Sequence, residues 1–238
     1  MLSNRIAPLL LALATSITAS SQQVAGGQSP ISLIIVNKDV EKNLELLRQR
    51  VPNLLARKNL KVGQWMEYEL RLNVASTPGV VAAIDETETV RTEIVRLTAD
   101  QVTLNETLSN GDRHEKAWPR EHFLSRESIG RSLKNVQGAQ DSEIRGVKLV
   151  RLEERQPELI EVAARKLRCG KISFEAEIEG EDSEGPVRIK RRSTWWYSER
   201  IPIDGIAKMV DEITVKFAGA QVDSVVTQRV LAYGEARQ

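Results

Sequence analysis

Apolar and polar residues alternate with a period of two over most of the chain after residue 60. This is the pattern of strands that bury one face and expose the other. The clearest case is the stretch 64–75, where Met66, Tyr68, Leu70, Leu72 and Val74 are separated by polar or charged residues. Similar patterns predict further strands over 87–97, 102–108, 113–118, 147–152 and 159–169, and a hairpin and two more strands after them.

Turn residues connect the first of these strands into a meander. Asn110-Gly111 is a strong short-range hairpin signal, and Ala99, Asp100 and Gln101 form a polar turn between two strands. Strands that follow each other through short turns pair antiparallel. The sequence therefore predicts a mainly β fold (α+β), with a curved antiparallel sheet or half-barrel and an N-terminal helix packed against it.

The hairpin over residues 172–192 carries an acidic strand and a basic strand. If Glu179 faces Pro186, then Glu177 faces Arg188, and the apolar residues of both strands share the opposite face. Upstream, the alternation changes phase at Gly170, which predicts a bulge at that glycine.

The basic residues of this hairpin allow two interpretations. Arg188, Lys190, Arg191 and Arg192 resemble a patch that binds nucleic acid or anionic lipid, but a facing row of glutamates can satisfy them. The formal net charge of the chain is +1, whereas dedicated nucleic-acid binders are usually strongly basic. We therefore interpret the row as cross-strand ion pairs and expect no nucleic-acid partner.

The first 59 residues differ in character from the rest. Residues 1–21 have the pattern of a secretory signal peptide, and residues 22–31 read as a disordered leader. We predict a helical segment over residues 32–59, with Asn37 as an N-cap and Pro52 as a kink or a break, and a β domain over residues 60–238. The helix predicted over 37–59 can pack on the sheet, act as a movable lid over a cavity, or lie on a membrane surface.

Export follows from the predicted signal peptide. We expect a periplasmic or extracellular protein with no integral membrane span, because no later stretch approaches the roughly 20 apolar residues that a spanning helix needs. The chain has one cysteine, Cys169, so an internal disulfide is excluded. A buried free thiol and an intermolecular bridge both remain open.

The sequence gives little sign of catalysis. Lys166, Arg168 and Lys171 could activate the Cys169 thiol, but a buried strand cysteine is the commoner case. His114 and His122 have no zinc-binding spacing, and no phosphate loop or nucleophile motif is present. We expect no catalytic residues, no metal site, no cofactor and no enzyme activity.

Three short motifs carry a resemblance to known proteins. They are Val62-Gly63-Gln64-Trp65 with Glu67-Tyr68, then Leu167-Arg168-Cys169, and Trp196-Tyr197-Ser198 followed by Pro202, Gly205 and Lys208. In this order they resemble secreted bacterial β-domain proteins of unknown function. These are distantly similar to the periplasmic half-barrels of the lipoprotein-localisation carriers. The resemblance implies an open, strongly curved sheet around a helix, with an apolar cavity in the carrier relatives.

Two functional hypotheses follow. In the first, an envelope protein holds a lipid or a lipoprotein in a half-barrel cavity, with the helix as a lid. In the second, a non-catalytic structural or interaction module has a packed core and binds an envelope protein partner. The candidate apolar ligand contacts are Leu47, Val51, Leu54, Leu55, Met66, Tyr68, Leu70, Phe174, Trp195 and Tyr197.

Overall fold

The computed structural model describes residues 33–34, 59–77, 82–120, 143–182, 185–217 and 220–235, together with Lys42, Glu45, Leu46, Arg48 and Gln49. Its strands are β1 (Leu33–Ile34), β2 (Gln64–Val74), β3 (Ile84–Leu97), β4 (Gln101–Leu108), β5 (Arg113–Pro119), β6 (Glu143–Val162), β7 (Arg165–Asp182), β8 (Gly185–Tyr197), β9 (Ile206–Phe217) and β10 (Ala220–Glu235).

All the described strands belong to one antiparallel sheet, in the order β1-β6-β7-β8-β9-β10-β2-β3-β4-β5. The sheet consists of two meanders, β2 to β5 and β6 to β10, which the pairing of β10 with β2 joins. It is not closed, since β5 lies at one end of the order and the two-residue β1 at the other. The predicted mainly β, antiparallel architecture is confirmed.

The first meander matches the sequence prediction closely. β2 to β5 begin or end within three residues of the predicted bounds, and Gly111 takes a φ of 90° in the turn between β4 and β5. Such a backbone angle favours glycine, which is why Asn110-Gly111 was a reliable signal.

The central hairpin has the predicted faces but not the predicted register. Glu181, rather than Glu179, lies opposite Pro186, so Glu179 faces Arg188 and Glu177 faces Lys190. The strands continue to Asp182 and restart at Gly185, which makes the turn shorter than its glycine-bounded polar composition suggested. A shift of two residues keeps every side chain on its face, and the apolar set therefore stays buried.

Two predictions about β6 and β7 were wrong. The stretch predicted as one strand over 159–169 contains a turn at Ala163 and Ala164, with φ angles of 51° and 58°. Alanine is not typical of such a turn, so composition gave no signal there. The predicted bulge lies in β6 rather than in β7, because Arg155 pairs with Lys171 and Glu158 with Cys169. Two residues of β6 thus lie opposite Gly170.

The registers align side chains in rows that cross five strands on one face, here called the buried face. The three rows, read from β2 through β10, β9 and β8 to β7, are Val74, Ser224, Ile213, Arg191, Ala176; Leu72, Val226, Asp211, Ser193, Phe174; and Leu70, Gln228, Met209, Trp195, Ile172. Every one of these side chains is at most 6% exposed. Part of the hydrophobic core therefore lies along this face.

Several predictions concern residues outside the described ranges. The signal peptide, the leader and nearly all of the helix over 37–59 lie there, and five residues in helical conformation between Lys42 and Gln49 do not define a helix. Leu33 and Ile34 pair with Leu152 and Arg151 of β6, an addition to the sheet that the sequence did not signal. Among the described residues, no helix has the length and apolar character needed to cross a membrane.

Candidate functional site

The structure places the described ligand-contact candidates in two groups on the buried face. Met66, Tyr68 and Leu70 lie on β2, whereas Phe174 and Trp195 lie on β7 and β8. Leu70 and Trp195 share a row but are separated by β10 and β9, which puts them about 14 Å apart along the sheet at ordinary strand spacing.

Phe174 and Trp195 form the aromatic part of this face. Their ring centroids are 5.0 Å apart with an interplanar angle of 90°, the edge-to-face arrangement that aromatic pairs favour. Tyr197 lies further along β8, where its ring covers Gly170, and burial raises the pKa of its hydroxyl. The remaining candidates, Leu47, Val51, Leu54 and Leu55, lie outside the described residues.

The region between the two apolar groups contains several buried polar side chains, which the sequence prediction missed. We call this set the polar centre; each of its side chains is at most 4% exposed, and its members are Arg191, Ser193, Asp211, Ser224 and Gln228. A signal was available. In β9, Asp211 lies two residues from both Met209 and Ile213 and therefore shares their face. In β10, Ser224 and Gln228 lie on the same face as the valines Val222, Val226 and Val230. A period of two therefore already assigns all three polar residues to the buried face.

Arg191 and Asp211 form the charged part of the polar centre. One terminal nitrogen of Arg191 donates to Oδ2 of Asp211, and Nε donates to Oγ of Ser193 at 2.9 Å. Oδ1 of Asp211 is buried and has no hydrogen-bond partner among the described residues. Buried charges are usually both paired and fully hydrogen-bonded, so this carboxylate retains an unused acceptor.

A second polar group lies near Tyr68, towards β4 and β5. Burial raises the pKa of the Tyr68 hydroxyl, and the nearby carboxylate of Glu106 raises it further. Oε2 of Glu106 lies 2.5 Å from Nζ of Lys116, so an ion pair neutralises this largely buried carboxylate. Tyr68 therefore stays protonated at neutral pH and presents a hydroxyl rather than a charge.

Cys169 is buried in the hydrophobic core, together with Val162 and Leu167 from the β6–β7 hairpin and with Ile201 and Ile203. Burial raises the pKa of its thiol to about 11. The reactive form of cysteine is the thiolate, so this environment disfavours a nucleophilic role and agrees with the interpretation as a core residue.

Trp196 occupies the opposite face of β8 and is surrounded by charged groups. Lys171 Nζ and Lys208 Nζ lie 4.8 Å and 4.9 Å from its ring centroid, within the range of cation–π contacts. Its indole Nε1 donates to Glu158 at 2.7 Å, and Glu158 also binds Lys171 at 2.5 Å. These contacts satisfy the polar atoms around Trp196 and hold the long β6–β7 hairpin against β8.

The basic residues of β8 contact acidic partners, as the ion-pair interpretation requires. Lys190 Nζ lies 2.8 Å from Glu175, and Arg192 lies 3.2 Å from Glu212. Arg188 is 3.8 Å from Glu179. Arg191 differs from its neighbours because it points to the buried face.

Neither histidine defines a metal site in the described structure. His114 is exposed on β5, and His122 lies outside the described residues. Within the described ranges, no group of three or more His, Cys, Asp or Glu side chains is arranged to hold a metal ion.

Two solved structures are among those to which the chain is weakly similar. A putative exported protein with a YmcC-like fold from Bacteroides fragilis is 12% identical, with a TM-score of 0.35, and the match covers 73% of this chain and 97% of the other. A putative lipoprotein from Parabacteroides distasonis is 9% identical, with a TM-score of 0.33, and the match covers 71% and 95%. No family model matches the chain. No curated protein matches it. These likenesses assign no function to this chain.

Proposed function

We propose that the chain is an exported envelope protein that binds a lipid, or the lipid of a lipidated partner, against the buried face of its sheet. The observation that carries the proposal is that face itself. Three rows of mainly apolar side chains cross five strands of a sheet that is not closed. One sheet supplies only one layer of a core, and these side chains are at most 6% exposed, so another part of the chain covers them in the unloaded protein and a lipid would take its place.

The helix predicted over residues 37–59 is the proposed second layer in the unloaded protein. Its apolar residues Leu47, Val51, Leu54 and Leu55 recur at helical spacing and match the width of one helix face. If an acyl chain takes the place of the helix, the sheet exchanges one apolar contact for another. The sequence motifs resemble secreted β-domain proteins that are distantly similar to lipoprotein-localisation carriers, and this resemblance supports the same class of ligand.

The proposed role is binding rather than catalysis. The one thiol of the chain is buried with a raised pKa. Of the buried carboxylates in the described residues, Asp211, Glu106 and Glu175 are each paired with a cation, and Asp204 accepts a hydrogen bond from the backbone N–H of Ile206. The predicted signal peptide over residues 1–21 supports a location outside the cytoplasm.

Mass spectrometry of the protein from its native envelope tests this proposal. The mass is measured under native conditions and again after organic extraction, and we expect a stoichiometric lipid that leaves on extraction. A Leu54→Glu variant should lose this lipid with its sheet intact, because the substitution places a charge in the proposed lid. The control is Leu159→Glu, at a β6 position that is 67% exposed. A bare mass for the wild-type chain would contradict lipid binding.

One observation favours a second candidate, an interaction module of the envelope. Among the described strands, β5 pairs only with β4, so its other edge presents unpaired backbone groups. Such an edge can accept a strand from another chain. In this candidate the interior is filled by side chains of the protein itself, and the partner is a protein.

A further inference from the structure

We infer that the polar centre of the buried face is the head-group site of the proposed lipid, and that it selects a head group carrying an ammonium N–H donor next to a phosphate. This inference rests on the proposed function and specifies its ligand. It starts from the position of the polar centre, which lies between apolar residues of β2 on one side and of β7 on the other.

The unused acceptor of Asp211 defines the first half of the recognition. Asp211 is 0% exposed, and only its Oδ2 is engaged by Arg191. Oδ1 lies buried without a hydrogen-bond partner among the described residues. An acceptor left in this state is costly, and a ligand that donates a hydrogen bond to it removes the cost. A cationic donor suits a carboxylate best, because charge-assisted hydrogen bonds are the stronger ones.

Arg191 defines the second half. Its contacts to described residues use Nε and one terminal nitrogen, which leaves the other terminal nitrogen available for an anionic oxygen. Guanidinium groups are well suited to phosphate. Two neighbouring positions carry small side chains, since Ala176 lies opposite Arg191 on β7 and Ser193 two residues along β8, whereas Ile213 lies opposite Arg191 on β9. Both charged residues are at most 4% exposed, so a head group that binds them has to displace the part of the chain that covers them.

The flanking residues suit the acyl chains of the same molecule. Leu70 and Leu72 lie at one end of the rows, and Phe174 and Trp195 lie towards the other. A zwitterionic phospholipid with a primary amine combines the anion, the donor and the apolar chains. A choline head group has the same charges but no N–H group, so it cannot satisfy Oδ1 of Asp211.

Competition between these two head groups is the test. The full chain, delipidated, is incubated with vesicles of equimolar dimyristoyl phosphatidylethanolamine and dimyristoyl phosphatidylcholine. The lipids that remain on the recovered protein are quantified by mass spectrometry. We expect the ethanolamine lipid to be enriched about tenfold or more, because only it makes the charge-assisted hydrogen bond. Equal uptake of both lipids would overturn the head-group assignment and leave the proposed function standing. Uptake of neither lipid would contradict both.

Two variants then test whether Arg191 and Asp211 cause the preference for the ethanolamine lipid. The double variant Arg191→Met with Asp211→Leu replaces both charges by apolar groups, a change that buried ion pairs often tolerate. We expect it to bind both lipids with an enrichment close to one. Asp223→Asn is the matched control, since Asp223 is an exposed residue of β10 that is bound by Thr214 and Gln221. Retained enrichment in a folded double variant would overturn the assignment to this pair. If the double variant does not fold, the competition on the wild-type chain still decides whether the head group is selected.

Discussion

Gly170 leaves room for the ring of Tyr197. A Cβ atom built on this glycine would lie 2.5 Å from Cζ of Tyr197 and 2.8 Å from its hydroxyl oxygen. Both atoms are at the far end of a side chain, so the ring has to move away if a methyl group is added. The ring of Tyr197 covers Gly170, and this explains why the strand tolerates a glycine here although no bulge lies in β7.

We predict that Gly170→Ala destabilises the protein by about 1–2 kcal/mol, the usual effect of overpacking a well-filled site. The measurement is denaturant unfolding. Tyr197→Ala alone and the double variant complete a cycle in which the effect of Gly170→Ala should shrink once the ring is absent. Equal effects with and without the ring would show that the contact with Tyr197 is not the cause.

At the scale of the element, one residue, Glu175, makes the main electrostatic contribution to the stability of the β7–β8 hairpin. Oε1 of Glu175 accepts from Lys190 at 2.8 Å, and its Oε2 lies 3.5 Å from Arg192. The hydrogen bond from Lys190 is the main cause that holds the pKa of Glu175 below its usual range, against the effect of burial. The carboxylate is only 11% exposed, whereas that of Glu179 is 63% exposed.

We predict that Glu175→Gln lowers the free energy of unfolding by about 1 kcal/mol near pH 7, and that the difference from wild type fades as the solution is acidified. Since the folded pKa is lowered, the contribution is complete above the ordinary carboxyl pKa and is lost as the pH falls through the folded value. Unfolding curves at a series of pH values measure it. Glu179→Gln should change stability little, as surface pairs do. A difference that persists at low pH would contradict the electrostatic explanation.

The sequence predicted the elements well where local chemistry decides them. Gly111 identified its turn because the backbone there needs glycine, and the alternation around Phe174 identified the buried face of the hairpin. The sequence-based prediction failed where tertiary contacts determine the local structure. Ala163 and Ala164 form a turn that their composition does not favour, and the hairpin register depended on how far the strands continue. A shift of two residues leaves the pattern of faces unchanged, so periodicity alone could not detect it.

The candidate site was predictable in part for the same reason. Phe174 and Trp195 were predicted as apolar ligand contacts, and the structure shows that their rings contact each other. Arg191 was grouped with its basic neighbours, although its parity in β8 differs from that of Arg188, Lys190 and Arg192. Its partner, Asp211, comes from the next strand, and only the pairing of β8 with β9 brings the two together. Charge pairs across a sheet become visible only when register is known.

At the scale of the whole molecule, the two ends of the sheet differ in how well they are protected against pairing with a strand of another chain. β6 contains Pro157 beside an irregular register and pairs in part with β1. Proline, bulges and a covering strand are devices that prevent edge pairing. β5 has a run of six residues, 113–118, before its only proline at Pro119, and its outer edge has no partner among the described strands.

If the interaction-module candidate holds, we predict association through β5. The sedimentation mass should rise with protein concentration, or with added partner, and Ala117→Lys should suppress the rise by adding a charge at an exposed position on that strand. Leu159→Lys on β6 is the control and should have no effect. A monomer at every concentration, together with no partner in pull-downs, would remove the support for this candidate.

The position of β10 has a consequence for how the protein is made. β10 is the last described strand along the chain, yet it pairs with β2, the first long one, and so joins the two meanders. Each meander can form from neighbouring segments, but this joint requires contacts between distant parts of the sequence, which form slowly. During synthesis from the N-terminus, β2 cannot pair with β10 until the last of the described strands has been made. We therefore expect the joint between the two meanders to be a late step in folding.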